Sequence, residues 1–386
     1  TGDWGGTRTS LAEHGIDLGL YYTGDVFGIP AGGRYNRTSY SGVADVTLTV
    51  DAEKLIGWKG FSLFFSGVGW HGGHPNRNAG SLQPIDHADP PKTFRVLEAW
   101  AQQAFFGRRL SILAGLYNVN SEFDAIQTGS IFLNGSHGPG AEFSHSGLNG
   151  PSSPPFTSAG VRLRAEPLDG LYVEAAVLDG VPGSLRDTDG TQIRFDKDEG
   201  YLVTTELGWV RGRDPKGDAS YGKFAVGGWA YSARFNVLGR FDGAGQPRRE
   251  RGNHGVYAFA EQTLFREAGD PVQGLAGYVR VGLAESEFNT FGHALAVGAV
   301  YTGALPGRDH DRLGLAVFPA FTGRGFRRAG RHVDGTETVI ELTYRAQVTP
   351  WLSIQPDIQY IDNAGANTIP GVTHALALGA RIECSF

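Results

Sequence analysis

The chain has 386 residues, a formal net charge of −6 and a pI near 6.0, so it lacks the basic excess of a nucleic-acid binder and any long acidic tail. Its 58 glycines follow no Gly-X-Y period and aromatics reach 11%, which excludes collagen and disorder and favours many short strands joined by tight turns. A lone cysteine, Cys384, excludes an intramolecular disulfide, and no apolar run reaches the roughly 18 residues of a transmembrane helix.

In chain order, Thr1 opens no signal peptide, so the expectation is a mature chain. Residues 4–14 predict a short helix with Thr7 as N-cap and Gly15 past its end, giving an N-terminal helical segment over 1–15. From there strand alternation takes over. Ile16, Leu18, Leu20 and Tyr22 oppose Asp17, Gly19, Tyr21 and Thr23; Val46, Leu48 and Val50 oppose Asp45, Thr47, Thr49 and Asp51. The pattern predicts about sixteen strands, at 16–27, 40–54, 60–71, 93–106, 109–118, 156–167, 170–180, 200–211, 222–235, 253–265, 274–286, 291–303, 312–321, 335–348, 351–361 and 373–386. Residues 119–155 interrupt it with a Gly/Ser/Pro-rich stretch carrying Phe123, Phe132 and Phe143, a length that marks a functional loop. At the end, Leu376, Leu378, Ala380, Ile382, Cys384 and Phe386 share one parity and Arg381 and Glu383 the other.

One texture throughout, without a linker, argues for a single unit over 16–386. The expected fold is all-β: a single antiparallel transmembrane β-barrel, with residues 119–155 folding inward as a constriction loop. The mean hydropathy of −0.22 suits a barrel whose lipid-facing and water-facing residues average out. Trp209, Trp229, Tyr231, Tyr344, Tyr360 and Phe386 take the outward parity expected of an aromatic girdle.

Three sets of motifs stand out: Gly2-Asp3-Trp4-Gly5-Gly6 with Arg8, Leu11, Gly15 and Ile16; Val96, Glu98, Trp100 and Gln102 through Leu110 and Gly115 to Phe123-Asp124; and Pro350-Trp351-Leu352, Gln355-Pro356-Asp357 and Gln359-Tyr360, ending in Gly379, Arg381 and Phe386. In this order they resemble the carbohydrate-selective porins of the OprB type. One departure is a turn: the family often has Pro-Gly after the Gln-Tyr segment, where Asn363 here precedes Ala364-Gly365. The resemblance implies a monomeric sixteen-stranded barrel of the bacterial outer membrane, set in lipid and lipopolysaccharide. Arginines would line a narrow passage for small sugars, with no cofactor and no nucleic-acid partner.

A sugar passage needs charged groups for hydroxyls and aromatics for pyranose faces. The lumen candidates are Arg95, Glu98, Trp100, Arg162, Arg164, Glu174, Arg234, Arg280, Arg345, Asp357 and Arg381, with Glu206, Glu341 and Glu383 as counter-charges. The bland reading is wall charges that pair with each other and keep the lumen polar. Other chemistries are weaker. His71, His74, Asp86, His87 and Asp89 could ligate a metal, as could His310 between Asp309 and Asp311, but they fall in polar loops where such residues are ordinary. Asp187-Thr188-Asp189-Gly190 resembles a calcium loop without its final Glu. Ser144-His145-Ser146 could serve an outer-membrane lipase, and Glu98 with Glu174 a soluble all-β carbohydrate-active enzyme. The expectation is a passive channel with neither metal nor catalytic residues.

Overall fold

The computed structural model describes residues 2–89, 91–184, 187, 189–212, 221–270, 272–330 and 333–386. Period-two alternation lets each segment bury one face and pair along both edges. The strands are β1 (Ile16–Gly32), β2 (Thr38–Asp51), β3 (Phe61–Gly72), β4 (Thr93–Phe105), β5 (Leu110–Tyr117), β6 (Ser158–Leu168), β7 (Leu171–Asp179), β8 (Tyr201–Arg211) and β9 (Gly222–Tyr231). A separate hairpin follows, β10 (Phe235–Phe241) and β11 (Pro247–Glu250). Then come β12 (His254–Arg266), β13 (Gly274–Ala284), β14 (Phe291–Thr302), β15 (Arg312–Thr322), β16 (Thr336–Thr349), β17 (Leu352–Asp362) and β18 (His374–Ser385).

All but the hairpin form one closed barrel of sixteen antiparallel strands. Each expected span falls on one barrel strand. The ring closes by pairing β1 with β18 from Tyr21↔Ser385 to Gly32↔Ala375, and the Phe386 amide donates to Leu20 O at 2.9 Å. Closure removes the exposed sheet edge. Short turns gather at one end and the long segments 73–92, 118–157, 180–200 and 232–253 at the other. At the tight turn between β6 and β7, Gly170 has φ +79°, and a Cβ there would sit 2.3 Å from Val210 O. Only glycine fits that position.

Outward side chains form an apolar band. Leu20, Val26, Val46, Val279, Leu315, Ile358, Leu378 and Ile382 are all exposed, a continuous surface that suits lipid and not water. Trp209 and Tyr360 lie exposed among them as expected. Trp229 and Tyr231 do not: both are buried inside the barrel, with Trp229 stacked on Phe143. Their strand carries apolar residues on its inner face because loop side chains cover it.

Three local features depart from the sequence reading. The hairpin β10–β11 is not one of the expected spans, because strands of seven and four residues are too short to carry a sustained alternation. The N-terminal helix begins at Thr7, with Gly6 in the N-cap position at φ +95°; its capping acceptor is Asp3, whose Oδ1 takes Thr9 N at 2.9 Å and Thr9 Oγ1 at 2.7 Å. Finally, β4 bulges at Leu97: Ser66 pairs with Glu98 while Gly67 pairs with Val96. The extra residue reverses the parity, so Arg95 and Glu98, three apart, both point inward.

A charge on the outer face tests this assignment. Leu378→Arg should destabilise the folded barrel by about 2–4 kcal/mol in lipid vesicles, read from denaturant unfolding, whereas Thr373→Arg beyond the strand should leave it unchanged. Equal stability of the two variants would place Leu378 away from lipid.

Candidate pore and its constriction loop

Residues 118–157 and 80–89 fold into the barrel. Phe123, Phe132 and Phe143 are fully buried; Phe143 lies parallel to Trp229 at 5.1 Å, and Phe132 meets Phe318 edge-on at 5.9 Å. These rings hold the loop by apolar burial, but an irregular segment also carries backbone N–H groups that no helix or sheet satisfies.

Wall carboxylates accept them. Glu206 takes Asp124 N at 2.8 Å, and Glu261 takes Gln127 N and Thr128 N at 3.1 and 2.7 Å. Glu341 takes Leu133 N and Asn134 N at 2.6 and 3.1 Å, and Glu337 takes Leu82 N and Gln83 N at 2.9 and 2.7 Å. Gln355 and Gln359 each donate to a loop carbonyl, of Ile131 and Ile85, at 2.7 Å.

Two buried ion clusters complete the attachment. Arg280 grips both Asp124 and Glu142 of the loop at 2.6 Å. Arg381 holds Asp25 at 2.8 Å and Asp86 at 3.3 Å, and donates to His87 Nε2 at 3.0 Å. Burial and the nearby Arg381 hold His87 well below the usual histidine range. It is therefore neutral, with Nδ1 donating to Leu133 O at 3.0 Å.

Between Asp124 and Glu142 the attachment is one-sided. Inward residues from β12 round to β17, such as Phe259, Tyr278, Ala296, Ala316, Val339 and Ile361, are buried under the loops. On β2, β3, β4 and β6 the inward side chains Asp45, Phe64, Glu98, Trp100, Gln102 and Arg164 keep partial exposure. The open space therefore follows the β2–β6 side of the lumen.

The candidates divide along that line. Glu98 accepts Trp100 Nε1 at 3.3 Å and Asn118 N at 3.0 Å, while Trp100 stacks on Phe64 at 5.1 Å. Arg162 binds Glu122 at 2.7 Å and Gln102 at 2.7 Å. Arg164 binds Glu174 at 2.7 Å and lies 4.2 Å over the Tyr172 ring. Arg95 sits between the rings of Trp70 and Phe156, at 5.7 and 4.3 Å, and donates to Pro155 O at 3.0 Å. These six candidates share one side.

The others lie elsewhere. Arg280 and Arg381 hold the loops, and Asp357 accepts Gln359 Nε2 at 2.9 Å beneath them. Arg345 pairs with Glu383 at 2.6 Å near the short-turn end. Arg234 lies past the end of β9, in an outer cleft of about 670 Å³ with Asp179, Tyr201, Arg249 and Arg251. Four further residues line or brace the lumen beyond those expected from parity: Glu122, Glu261, Glu337 and Lys223, whose Nζ donates to Ala125 O at 2.8 Å. Glu261 shares the inward parity of Tyr257 and Phe259, so its strand pattern carried the signal.

The competing chemistries find no geometry. His71 lies stacked on Tyr22, His74 pairs with Asp89 at 2.9 Å, and His87 belongs to the Arg381 cluster. Asp311, beside His310, is taken by Arg308 at 2.7 Å. Among the described residues no three metal-ligating side chains gather; Thr188 of the calcium-like stretch lies outside them. Ser144 Oγ is 3.1 Å from His145 Nδ1, but the other ring nitrogen faces Leu82 O at 3.0 Å, with no carboxylate to orient it.

Removing Arg280 tests the attachment. Arg280→Gln leaves Asp124 and Glu142 buried without their cation, a loss of about 3–5 kcal/mol in loop anchoring. Single-channel recordings should show larger and noisier conductance while circular dichroism retains the strand signal. Wild-type conductance would mean that the ion cluster does not hold the loop.

Comparison with known proteins agrees with this architecture. Porin B of Pseudomonas aeruginosa is 24% identical, the alignment covering 100% of this chain and 90% of that protein. The high-pH structure of Pseudomonas putida OprB superposes with a TM-score of 0.90 at 22% identity, covering 100% of this chain and 98% of that one. The outer membrane channel DcaP of Acinetobacter baumannii shares the fold more distantly, with a TM-score of 0.54 at 10% identity, covering 96% and 97%. The family model of the carbohydrate-selective porins matches residues 36–386, and the chain belongs to that family, the OprB family of outer-membrane sugar channels.

Proposed function

We propose that small sugars cross this porin along the β2–β6 side of the lumen, and that Glu98, Trp100 and Arg164 form the polar track they follow, with the buried Arg95, Arg162 and Glu174 behind it holding that wall in place. The observation that carries this reading is the one-sided attachment of the loops. Residues 119–155 then act as the constriction, with the 1–15 segment a helical appendage to one barrel domain. Arg164 and Glu98 offer donors and acceptors to sugar hydroxyls, and Trp100 offers a flat face to the apolar side of a pyranose. Their mutual ion pairs and hydrogen bonds keep the charges compensated, so a neutral solute is held weakly and leaves again. Arg280, Asp357 and Arg381 contribute by shaping the wall, Arg345 by lining one mouth and Arg234 by lining the outer cleft.

The lumen is complete within one chain, which supports a monomer as the working unit. The apolar band faces acyl chains, with lipopolysaccharide around the long-loop end, since outer-membrane barrels carry their long loops outside.

Planar-bilayer conductance with graded glucose tests the proposal. Glucose should block current in the wild type. Arg164→Ala should weaken the block about tenfold, the equivalent of one hydrogen bond to a charged group, and Trp100→Ala should weaken it as well. Ile382→Ala on the outer face should change nothing. A block unaltered in both lumen variants would remove this side of the barrel from the sugar path.

A further inference from the structure

The buried arginines that hold the loops are matched to carboxylates: Arg162 to Glu122, Arg280 to Asp124 and Glu142, Arg381 to Asp25 and Asp86. A cluster at the rim is built differently. At the long-loop end, Arg34, Arg37 and Arg77 surround Tyr35, their guanidinium carbons 5.2, 5.5 and 5.9 Å from its ring centroid. Among the described residues no carboxylate forms an ion pair with any of the three.

The cluster is held by backbone. Asn78 O accepts both Arg34 N and Tyr35 N, at 2.9 and 3.0 Å, and Tyr35 O accepts Arg37 N at 2.9 Å. This fixes the 33–37 turn onto the short helix Pro75–Ala79 and brings Arg77 beside it. Tyr35 feels the result: the positive charge of Arg34, and of Arg77 beside it, lowers its phenol from the ordinary tyrosine range. Three like charges kept together in a chain of net charge −6 repel one another. Cation–π contacts on one half-buried ring compensate only in part.

We propose that Arg34, Arg37, Arg77 and Tyr35 form an oxyanion-binding site at the outer rim of the barrel, suited to a phosphate group. Guanidinium forks match phosphate oxygens two at a time, and the phenol adds a further donor. The phosphate can come from a lipid headgroup of the outer leaflet or from a phosphorylated sugar reaching the pore mouth. The site rests on reading the long-loop end as the outer one, and is independent of which way sugars run inside.

The test uses the full chain and the R34Q/R37Q/R77Q variant, with a heat-dependent gel shift checking that the barrel has formed. One arm adds glucose 6-phosphate to the long-loop side of a planar bilayer at fixed ionic strength, with glucose as the uncharged comparator. The other measures binding of bis-phosphorylated lipid A, against its dephosphorylated form, by native mass spectrometry in detergent. The wild type should favour at least one phosphorylated probe over its unphosphorylated counterpart, and the variant should lose that binding about tenfold. The arm that responds identifies the source of the phosphate. Glucose block should be equal in the two proteins, and its absence from both would count against the sugar path alone. Should the triple variant not assemble, R37Q and R77Q singly carry part of the same loss. Wild-type values in the variants for both phosphorylated probes, or no phosphate preference in the wild type, overturns the site.

Discussion

An irregular loop placed inside a barrel brings its backbone polar groups with it, and every one left unpaired destabilises the fold. Here the wall supplies the acceptors. Glu206, Glu261, Glu337 and Glu341 stand on β8, β12 and β16 and receive amides from residues 82–134. The position of the loops, the shape of the lumen and the side on which solute passes all follow from where these carboxylates stand.

The ionic clusters act by the same logic. Arg280 is fully buried with two carboxylates, and a buried triad of this kind is poor evidence for stability in itself, because desolvating the charges offsets their attraction. What it provides is position: displacing the loop from Arg280 leaves buried charge on both sides without a partner, so the loop has one seat. Phe143 on Trp229 and Phe132 against Phe318 add apolar burial that a loop in open water would lack.

Much of this was legible in the sequence, for reasons that also explain the failures. Alternation is a local property, so the sixteen barrel strands and the outward parity of Leu378 and Ile382 could be read directly. Arg95 and Glu98 both face inward despite opposite parity, because the bulge at Leu97 intervenes, and no period reveals a bulge. Trp229 and Tyr231 looked like girdle aromatics because a wet lumen was assumed to have a polar wall throughout. Beneath a packed loop the inner wall turns apolar, and parity taken together with the three loop phenylalanines could have suggested it. The bias toward one wall lay beyond local reading: Leu133 meets Glu341 across 208 positions.

The loops occupy one wall and leave the β2–β6 side open, an asymmetry that chemical access to the lumen tests directly. In a Cys384→Ser background, single cysteines at Trp100, Arg164 and Ala316 can be challenged with a charged thiol reagent while current is recorded. Ala316 faces inward on β15 but is buried beneath the loop. The account predicts rapid modification and a stepwise fall in current for Trp100→Cys and Arg164→Cys, with Ala316→Cys untouched. Fast modification of Ala316→Cys, with the other two protected, would contradict it.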